Sequence, residues 1–286
     1  MREVVHTLAC LIRNQEDMAL ADKCFESLAR SCPNDLFVLY NQGSLSNDEL
    51  AAYLARFNLQ AEILGEGRGV GHPRGKKACF DHIWARHQDA KFISEIHLDM
   101  IFPPGWTEAL IDFLQTHDEE PLVCPGILTA QGELHPERRG ESVLSNIPVD
   151  NLERMNHLLL GLTNNNVLEG WVHPVIHRAE VLKAVGGYDT RFLKGTQGYE
   201  DDSLLVGIRY YLGTRRNWKP KCCMQVRVYH ATLFQRVTMP DINEAFQLNL
   251  RGLIYQYGVK GLMELNAIYP DNELFRNMAE DLLRQL

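Results

Sequence analysis

The amino-acid sequence predicts an α/β protein whose mostly parallel sheet carries helices on both faces, followed by a C-terminal helical appendage. In the first half of the chain, short apolar segments rich in β-branched residues alternate with amphipathic helical segments, which is typical of a parallel sheet covered on both sides. The 286 residues are 45% hydrophobic and 23% charged, an ordinary globular composition that excludes a disordered, collagen-like or coiled-coil chain. After Pro240 the strand pattern disappears. We therefore expect one domain over residues 1–235 and a helical appendage over residues 236–286.

The first half alternates strand and helix patterns at short spacing. Val4–Ile12 is apolar and β-branched, which predicts a buried strand, and Glu16–Arg30 has the spacing of an amphipathic helix. Ser46 and Glu49 have the spacing of a capping box at the start of a later helix. The other predicted elements of this half are strands at 36–40, 61–64, 91–96 and 122–124, and helices at 46–57, 78–87 and 106–116.

Ligands of parallel sheets collect at the carboxyl ends of the strands. The segments that follow the predicted strands are therefore candidate sites: Arg13-Asn14, 41–44, 65–77 and 97–100. The second half of the chain is less regular. Its predicted elements are helices at 151–160, 179–185, 201–211, 242–257, 260–266 and 272–285, and strands at 171–177 and 225–229.

Charge and cysteine usage exclude several functional classes. The chain has 29 Lys and Arg against 37 Asp and Glu, a net charge of −8, so it lacks the positive field of a nucleic-acid-binding protein and any phosphate site must be a local basic cluster. Seven cysteines without a C-x-x-C motif predict neither a disulfide framework nor a zinc ribbon. No apolar run reaches the ~18 residues of a membrane span. We expect a cytoplasmic protein without a transmembrane segment, with peripheral membrane contact left open.

Three polar side chains alternate near the end of the strand predicted at 91–96. Glu95, His97 and Asp99 would point to one face if the strand continued through them. Oxygen and nitrogen ligands at the carboxyl end of a strand suit a divalent cation such as Mn²⁺ or Mg²⁺. A solvated polar edge explains the same pattern, so both interpretations stand at this point.

Two further features depend on spatial convergence. Glu200, Asp201 and Asp202 open a predicted helix, where they either stabilise the helix through its free N–H groups or accept a proton from a substrate hydroxyl. His230 ends a predicted strand, as a hydrogen-bonded structural residue or as a ligand. The functional alternatives gain weight if these residues meet at Asp99.

The segment Gly65–Lys77 is rich in glycine and basic residues. It fits neither the phosphate-loop template nor the G-x-G-x-x-G template. A loop carrying Arg68, Arg74, Lys76 and Lys77 would still provide the local basic cluster that an anionic ligand needs. A flexible surface loop is the other interpretation.

Taken in chain order, these segments resemble the GT-A glycosyltransferases of the large inverting family 2, over roughly residues 4–235. Arg13-Asn14 after the first strand resembles the first nucleotide-contacting turn of that family, and Asn41–Ser44 resembles the second. His97-Leu98-Asp99 occupies the place of the Asp-x-Asp metal motif. Asn41 and His97 each stand where the family usually has Asp. The change at Asn41 weakens the expected hydrogen bond to a uracil-like base, and the change at His97 lowers the negative charge of the expected metal site.

The acceptor side of the family is matched by later segments. Gly186–Asp189 resembles the acceptor-side turn, Glu200-Asp201 the Glu-Asp base motif, and His230 the closing histidine. The resemblance implies inverting transfer of a sugar from a nucleoside-diphosphate sugar to an acceptor hydroxyl, assisted by Mn²⁺ or Mg²⁺. The acceptor, which could be a glycan, a lipid-linked sugar or a protein, is not readable from the sequence.

The resemblance also implies a role for each candidate residue. Asp201 would be the catalytic base, Glu200 would hold the acceptor, and Asp99 and His230 would bind the metal. The expected substrate-binding residues are Asn14, Asn41, Arg74, Lys77, His97, Gly187 and Tyr188.

Two other functional classes fit the same scaffold. One is a non-catalytic protein that binds a nucleotide or a partner, and the other is a nucleotidyltransferase, which would release pyrophosphate. The helical appendage carries an apolar stripe that would dock onto the first domain or form a homo-oligomer: Phe246, Leu250, Leu253, Ile254 and Tyr257.

Overall fold

The computed structural model describes residues 3–232 and 241–284, and these residues form a ten-stranded sheet flanked by helices. The strands are β1 (Val4–Cys10), β2 (Leu36–Asn41), β3 (Gln60–Gly65), β4 (Phe92–Glu95), β5 (Met100–Ile101), β6 (Leu122–Thr129), β7 (Leu134–His135), β8 (Val167–Glu169), β9 (Val175–Arg178) and β10 (Lys221–His230). The helices are α1 (Gln15–Ser31), α2 (Asn47–Ala55), α3 (His72–Arg86), α4 (Trp106–Thr116), α5 (Leu152–Gly161), α6 (Ala179–Val185), α7 (Glu200–Leu212), α8 (Ile242–Ile268) and α9 (Glu273–Arg284). The predicted domain boundary after residue 235 lies outside the described residues.

The sheet is mostly parallel, as predicted. Its order is β3-β2-β1-β4-β9-β6-β10-β5, with β7 added beside β6 and β8 beside β10. Along this order β3, β2, β1, β4, β6 and β10 point the same way, whereas β9 and β5 run antiparallel to their neighbours. The carboxyl ends of the parallel strands therefore lie at one edge, where a ligand site is expected.

Helices cover both faces of the sheet because successive side chains of a strand point to opposite sides. In β1, Val4 and Leu8 pack into the apolar cluster beneath α1, α2 and α4, whereas Val5 packs into the cluster beneath α3 and α7. The second cluster also contains apolar side chains of the C-terminal helices: Leu253, Leu262, Leu265, Ile268, Phe275 and Ala279. Within the described ranges, no helix is both long and apolar enough to cross a bilayer.

Helix α3 starts six residues earlier than the sequence pattern predicts. The segment 65–77 was expected to be a loop, but residues 72–77 are helical. Pro73 lies in the first turn, where its missing N–H needs no partner, so proline here starts the helix instead of breaking it. Gly71, at φ +87°, precedes the helix, and a Cβ there would lie 2.6 Å from the Cα of Thr196. The glycine therefore permits the close approach of two segments.

Strands β6 and β10 are longer than predicted. The pattern placed the end of β6 at Cys124, but the strand continues through Pro125 and Gly126 to Thr129. A register shift in β10 between Cys223 and Arg227 accommodates the proline, which has no N–H to donate. In contrast, β9 is shorter than the predicted 171–177 strand and begins at Val175.

The appendage is helical, as predicted, but its first two predicted helices form one element. Helix α8 runs from Ile242 to Ile268 with a non-helical residue at Gly258, where φ is +62°. Helix α9 covers Glu273–Arg284, and the predicted end at Gln285 lies outside the described residues.

Candidate active site

A cavity of about 340 Å³ lies at the carboxyl ends of β1, β2 and β4. Leu11, Gln42 and His97 line it from the segments that follow these strands. Residues from distant parts of the chain close the other side: Asp99, His173, Thr196, Gln197, Glu200, Asp201, His230 and Thr232. The stretches around residues 99, 201 and 230 therefore meet in one cavity, which we call the cleft.

Asp99 and His230 are held together by the pairing of β5 with β10. His230 is opposite Met100 in this antiparallel pair, and the amide of Ala231 donates to the carbonyl of Asp99 at 2.8 Å. This register places His230 Nε2 3.3 Å from Asp99 Oδ1. One ligand atom each from His97, Asp99 and His230 lies within 4.8 Å of the other two. Strand β4 ends at Glu95, so His97 and Asp99 reach this position from the loop after it.

Three imidazole rings cluster around His97. Its ring centroid lies 4.4 Å from that of His173, 5.2 Å from that of His72 and 5.4 Å from that of His230. Burial lowers the pKa of His97 well below its usual value, and the neighbouring imidazoles lower it further. Burial also lowers the pKa of His173, against the attraction of Asp201. These two rings are therefore neutral, the state in which imidazole binds a metal.

The carboxylate of Asp201 lies in the same cleft, at the first turn of α7. The hydroxyl of Tyr188 donates to Asp201 Oδ1 at 3.0 Å, and His173 Nε2 lies 3.7 Å from the same oxygen. The Asp201 side chain remains 30% exposed, whereas Glu200 is buried. An exposed, oriented carboxylate in a cleft can accept a proton from a ligand.

A buried network supports Tyr188 from below. The Tyr188 hydroxyl lies 2.8 Å from Glu95 Oε2, and His177 Nε2 lies 2.8 Å from Glu95 Oε1. Burial opposes the charge of Glu95, but the hydrogen bond of His177 and the charge of Lys76 prevail and hold the pKa of Glu95 below its usual range. Burial raises the pKa of Tyr188 well above 10, and the nearby carboxylates raise it further. Tyr188 therefore stays protonated and acts as a hydrogen-bond donor.

A second cavity, of about 410 Å³, adjoins the cleft at Asp201 and opens towards the C-terminal helices. Its wall contains Trp171 and several aromatic side chains from α7, α8 and α9 or their flanks: Tyr199, Phe246, Tyr269 and Phe275. Asp202 lies at its edge, where burial, followed by the charge of Asp201, raises the pKa of Asp202 to about 7.

The remaining predicted site residues have local structural contacts. Asn14 caps α1, since its side chain accepts from the amides of Glu16 and Asp17. Asn41 shapes the turn after β2, where its Nδ2 donates to the carbonyl of Leu45 at 2.8 Å and to Asn47 Oδ1 at 2.9 Å.

The basic residues Arg74, Lys76 and Lys77 of α3 do not line the cleft. Arg74 is exposed, and Lys77 pairs with Asp81 one helical turn later. Lys76 is fully buried and its Nζ donates to the carbonyls of Thr7 and Ile96 at 2.7 and 3.1 Å. These positions follow from the early start of α3, which converts the expected basic loop into a helix.

Gly187 adopts φ +63° in the turn before Tyr188. A Cβ at Gly187 would lie 2.8 Å from the ring of Phe80. The turn therefore packs on α3 and brings Tyr188 to Asp201.

Three histidines of the cleft and of the network beneath it were not among the predicted site residues: His72, His173 and His177. His72 lies in the segment 65–77, which was expected to be a loop, and His173 was given no role from the sequence. The pairing of Glu95 with His177 depends on β9 lying antiparallel to β4, which no local pattern reveals. The one available signal was the density of histidines near predicted strand ends.

Solved structures are similar to this chain in fold, whereas no protein-family model and no curated protein sequence matches it. The crystal structure of S. aureus TarS 1–349 in complex with UDP superposes with a TM-score of 0.56 at 11% identity, over 96% of this chain and 72% of that one. The same fragment in complex with UDP-GlcNAc gives 0.56 at 10% identity, over 96% and 74%.

The crystal structure of GalNAc-T7 with UDP, GalNAc and Mn²⁺ gives a TM-score of 0.55 at 13% identity, over 81% of this chain and 44% of that one. Identities this low establish a common fold and leave the activity to be argued from the site. The chain therefore has the GT-A fold of these glycosyltransferases, as the sequence resemblance implied.

Proposed function

We propose that the chain is a glycosyltransferase that moves a sugar from a nucleoside-diphosphate sugar to an acceptor hydroxyl with inversion, assisted by a divalent cation. The observation that carries this proposal is the meeting of Asp99, Asp201 and His230 in one cleft at the carboxyl ends of the parallel strands. The GT-A fold shared with proteins crystallised with UDP or UDP-GlcNAc supports a nucleotide-sugar donor.

The donor atoms of the cleft suit a divalent cation. Asp99 and His230 would hold it, with His97 as a third ligand or as a hydrogen-bond partner of a phosphate. His97 Nε2 is buried without a hydrogen-bond partner among the described residues, which is costly unless the atom has a ligand. Mg²⁺ prefers oxygen ligands, so two imidazoles favour Mn²⁺. When bound, the cation supplies Lewis-acid stabilisation of the charge that develops on the leaving diphosphate.

Asp201 is the proposed base. It would take the proton of the acceptor hydroxyl while that oxygen bonds to the anomeric carbon and the bond to the diphosphate breaks, leaving its electron pair on the phosphate oxygen. Such proton transfer typically contributes ~10²–10⁴-fold in rate. Tyr188 orients the carboxylate through the 3.0 Å hydrogen bond to Oδ1. Attack from the side opposite the leaving group gives inversion.

The second cavity is the proposed acceptor side. It meets the cleft at Glu200 and Asp201, so an acceptor seated there would present its hydroxyl to the base. Its aromatic wall, including Trp171 and Phe246, suits the apolar faces of a sugar ring. A glycan or a sugar-bearing acceptor fits this wall best.

A product assay separates this function from its two rivals. The protein is incubated with a panel of nucleotide sugars, Mn²⁺ and oligosaccharide acceptors, and the released phosphates are identified by chromatography. We expect nucleoside diphosphate, formed in the presence of Mn²⁺ and lost with a chelator. In a parallel incubation with a nucleoside triphosphate and a sugar phosphate, release of pyrophosphate would instead identify a nucleotidyltransferase. Donor binding without turnover across the whole panel would identify a binding protein.

A further inference from the structure

Three potential metal ligands meet at the outer edge of the sheet. Glu62 lies on the edge strand β3, His82 on α3 and His87 at the C-cap of α3. His82 Nε2 lies 2.5 Å and His87 Nε2 lies 3.0 Å from the same carboxylate oxygen, Glu62 Oε2. One ligand atom from each residue lies within 4.8 Å of the other two.

The fold produces this cluster by packing the last turns of α3 against β3. Its side chains are partly open to solvent, with exposed fractions of 40% for Glu62, 26% for His82 and 15% for His87. An ion could therefore reach them without opening the core. The exposure also leaves room for a water molecule as a further ligand.

We propose that Glu62, His82 and His87 form a binding site for Zn²⁺ or a similar transition ion, separate from the cleft. Two imidazoles and one carboxylate, with an open fourth position, are a ligand set that zinc accepts. Zinc–ligand distances of ~2.0–2.2 Å in a tetrahedral site place ligand atoms roughly 3.3–3.5 Å apart. The present separations of 2.5 and 3.0 Å require the side chains to move apart by less than about 1 Å.

The proposed zinc site is distant from the cleft, and an ion bound there would act on a different part of the fold. His72 lines the cleft at the first turn of α3, whereas His82 and His87 lie 10 and 15 residues further along, a rise of roughly 15 and 22 Å. An ion at the outer site would tie the edge strand to α3. The proposal is independent of the proposed sugar transfer.

The alternative is an ion-pair cluster that never binds metal. The carboxylate is already paired, since hydrogen bonds from His87 and His82 outweigh burial and lower the pKa of Glu62. Zinc would have to replace the hydrogen bonds that both imidazoles make to Glu62. A cluster of ion pairs alone predicts no zinc uptake at this edge.

Zinc binding to the whole chain tests the proposal. Equilibrium dialysis against Zn²⁺ counts the bound ions in the wild type and in His82→Gln, His87→Gln and Glu62→Gln. We expect each variant to hold one equivalent fewer than the wild type. The zinc affinity of this site should fall about 100-fold or more. Replacing a residue that only hydrogen-bonds to a metal ligand typically lowers metal affinity by ~10–100-fold, and replacing the ligand itself should lower it further. His157→Gln, which changes an exposed histidine on α5, should bind as the wild type does.

Hydrogen exchange provides a local measurement that does not depend on other zinc sites. Zinc should slow exchange of the amides of β3 and of the last turn of α3 in the wild type and leave them unchanged in His82→Gln. Equal zinc uptake by the wild type and all three variants, or equal protection in the wild type and His82→Gln, would overturn the proposal.

Discussion

Each buried charged side chain beneath the cleft forms specific hydrogen bonds. Lys76 has no exposed surface, and its Nζ donates to the carbonyl of Thr7 within β1 and to that of Ile96 just after β4. Burial lowers the pKa of Lys76 to about 8, although Glu95 acts in the opposite direction. The Nε2 of His177 and the hydroxyl oxygen of Tyr188 each lie 2.8 Å from a carboxylate oxygen of Glu95. This chain of contacts fixes the Tyr188 hydroxyl, and through it Asp201, relative to the strand ends.

A buried histidine at the other end of β1 makes stability depend on pH. His6 Nε2 lies 3.0 Å from Asp35 Oδ2. Burial alone would lower the pKa of His6, but Asp35 and Cys32 raise it to about 9. Because the folded pKa exceeds the unfolded value, the stabilisation is complete below pH 6.5 and is lost as the pH rises through about 9.

We therefore expect Asp35→Asn to lower the free energy of unfolding most at pH 6, by up to about 3 kcal/mol, and little at pH 9.5. Urea denaturation across this range measures the difference from the wild type. Asp89→Asn, which changes an exposed carboxylate, provides the control. An Asp35→Asn effect of the same size at both pH values would show that Asp35 does not raise the pKa of His6.

At the scale of single residues, the sequence predicted which polar side chains meet in the cleft, but not the residues that hold them in place. Asp99, Asp201 and His230 were singled out from their positions at strand and helix ends, and the fold brings them together. Asn14 and Asn41 were expected to contact substrate, but their side chains cap a helix and shape a turn. Local hydrogen bonds of this kind compete with ligand contacts, and a motif cannot tell the two apart.

At the scale of elements, α8 holds the segment just before α7 through buried hydrogen bonds. Asn249 is fully buried on α8, where its Oδ1 accepts from the amide of Gly195 at 2.6 Å and its Nδ2 donates to the carbonyl of Gly198 at 2.8 Å. A Cβ at Gly195 would lie 2.2 Å from the carbonyl oxygen of Ala245. Helix α8 therefore positions the loop that leads to Glu200 and Asp201.

Asn249→Ala should consequently lower both stability and turnover. Two buried backbone groups lose their hydrogen-bond partners, and each unsatisfied group destabilises the fold by roughly 1–3 kcal/mol. We therefore expect the free energy of unfolding, measured by urea denaturation, to fall by about 2 kcal/mol or more. Sugar transfer, assayed below the melting temperature of the variant, should also fall, because the first turn of α7 loses its support.

Asn243→Ala, an exposed change on the same helix, is the matched control and should alter neither quantity. Normal turnover in a folded Asn249→Ala protein would show that α8 does not position the loop.

Element existence was easier to predict than element limits. The capping box of Ser46 and Glu49 starts α2 as expected, because both of its hydrogen bonds are local. The start of α3 was misjudged since glycine and proline are also typical of loops, and the contact of Gly71 with Thr196 at the helix start joins distant parts of the sequence. The extension of β6 through Pro125 depends on the bulge in β10, a partner 100 residues away in the sequence.

For the molecule as a whole, the C-terminal helices complete the core. Leu253, Leu262 and Leu265 are buried in the same cluster as Leu204 and Leu205 of α7. Full burial of a large apolar side chain contributes about 1.5–3 kcal/mol, and net stabilities of domains are only about 5–15 kcal/mol. Several such side chains together therefore match the stability of an entire domain.

A chain ending at residue 232 should not fold independently. We expect it to lack a cooperative thermal transition in circular dichroism and to elute as aggregates in gel filtration, because the apolar face of α7 is uncovered. The full-length chain under the same conditions is the reference. A monomeric truncated chain that melts cooperatively at the full-length Tm would instead show that residues 1–235 form a domain on their own.

A comparison of the wild type with Asp201→Asn tests whether the cleft transfers a sugar with Asp201 as the base. Turnover of a nucleotide sugar is measured together with the Kd of the donor, so that loss of chemistry is separated from loss of binding. We predict that kcat falls by about 10²-fold or more while the donor Kd changes little. Wild-type turnover in Asp201→Asn would contradict the account.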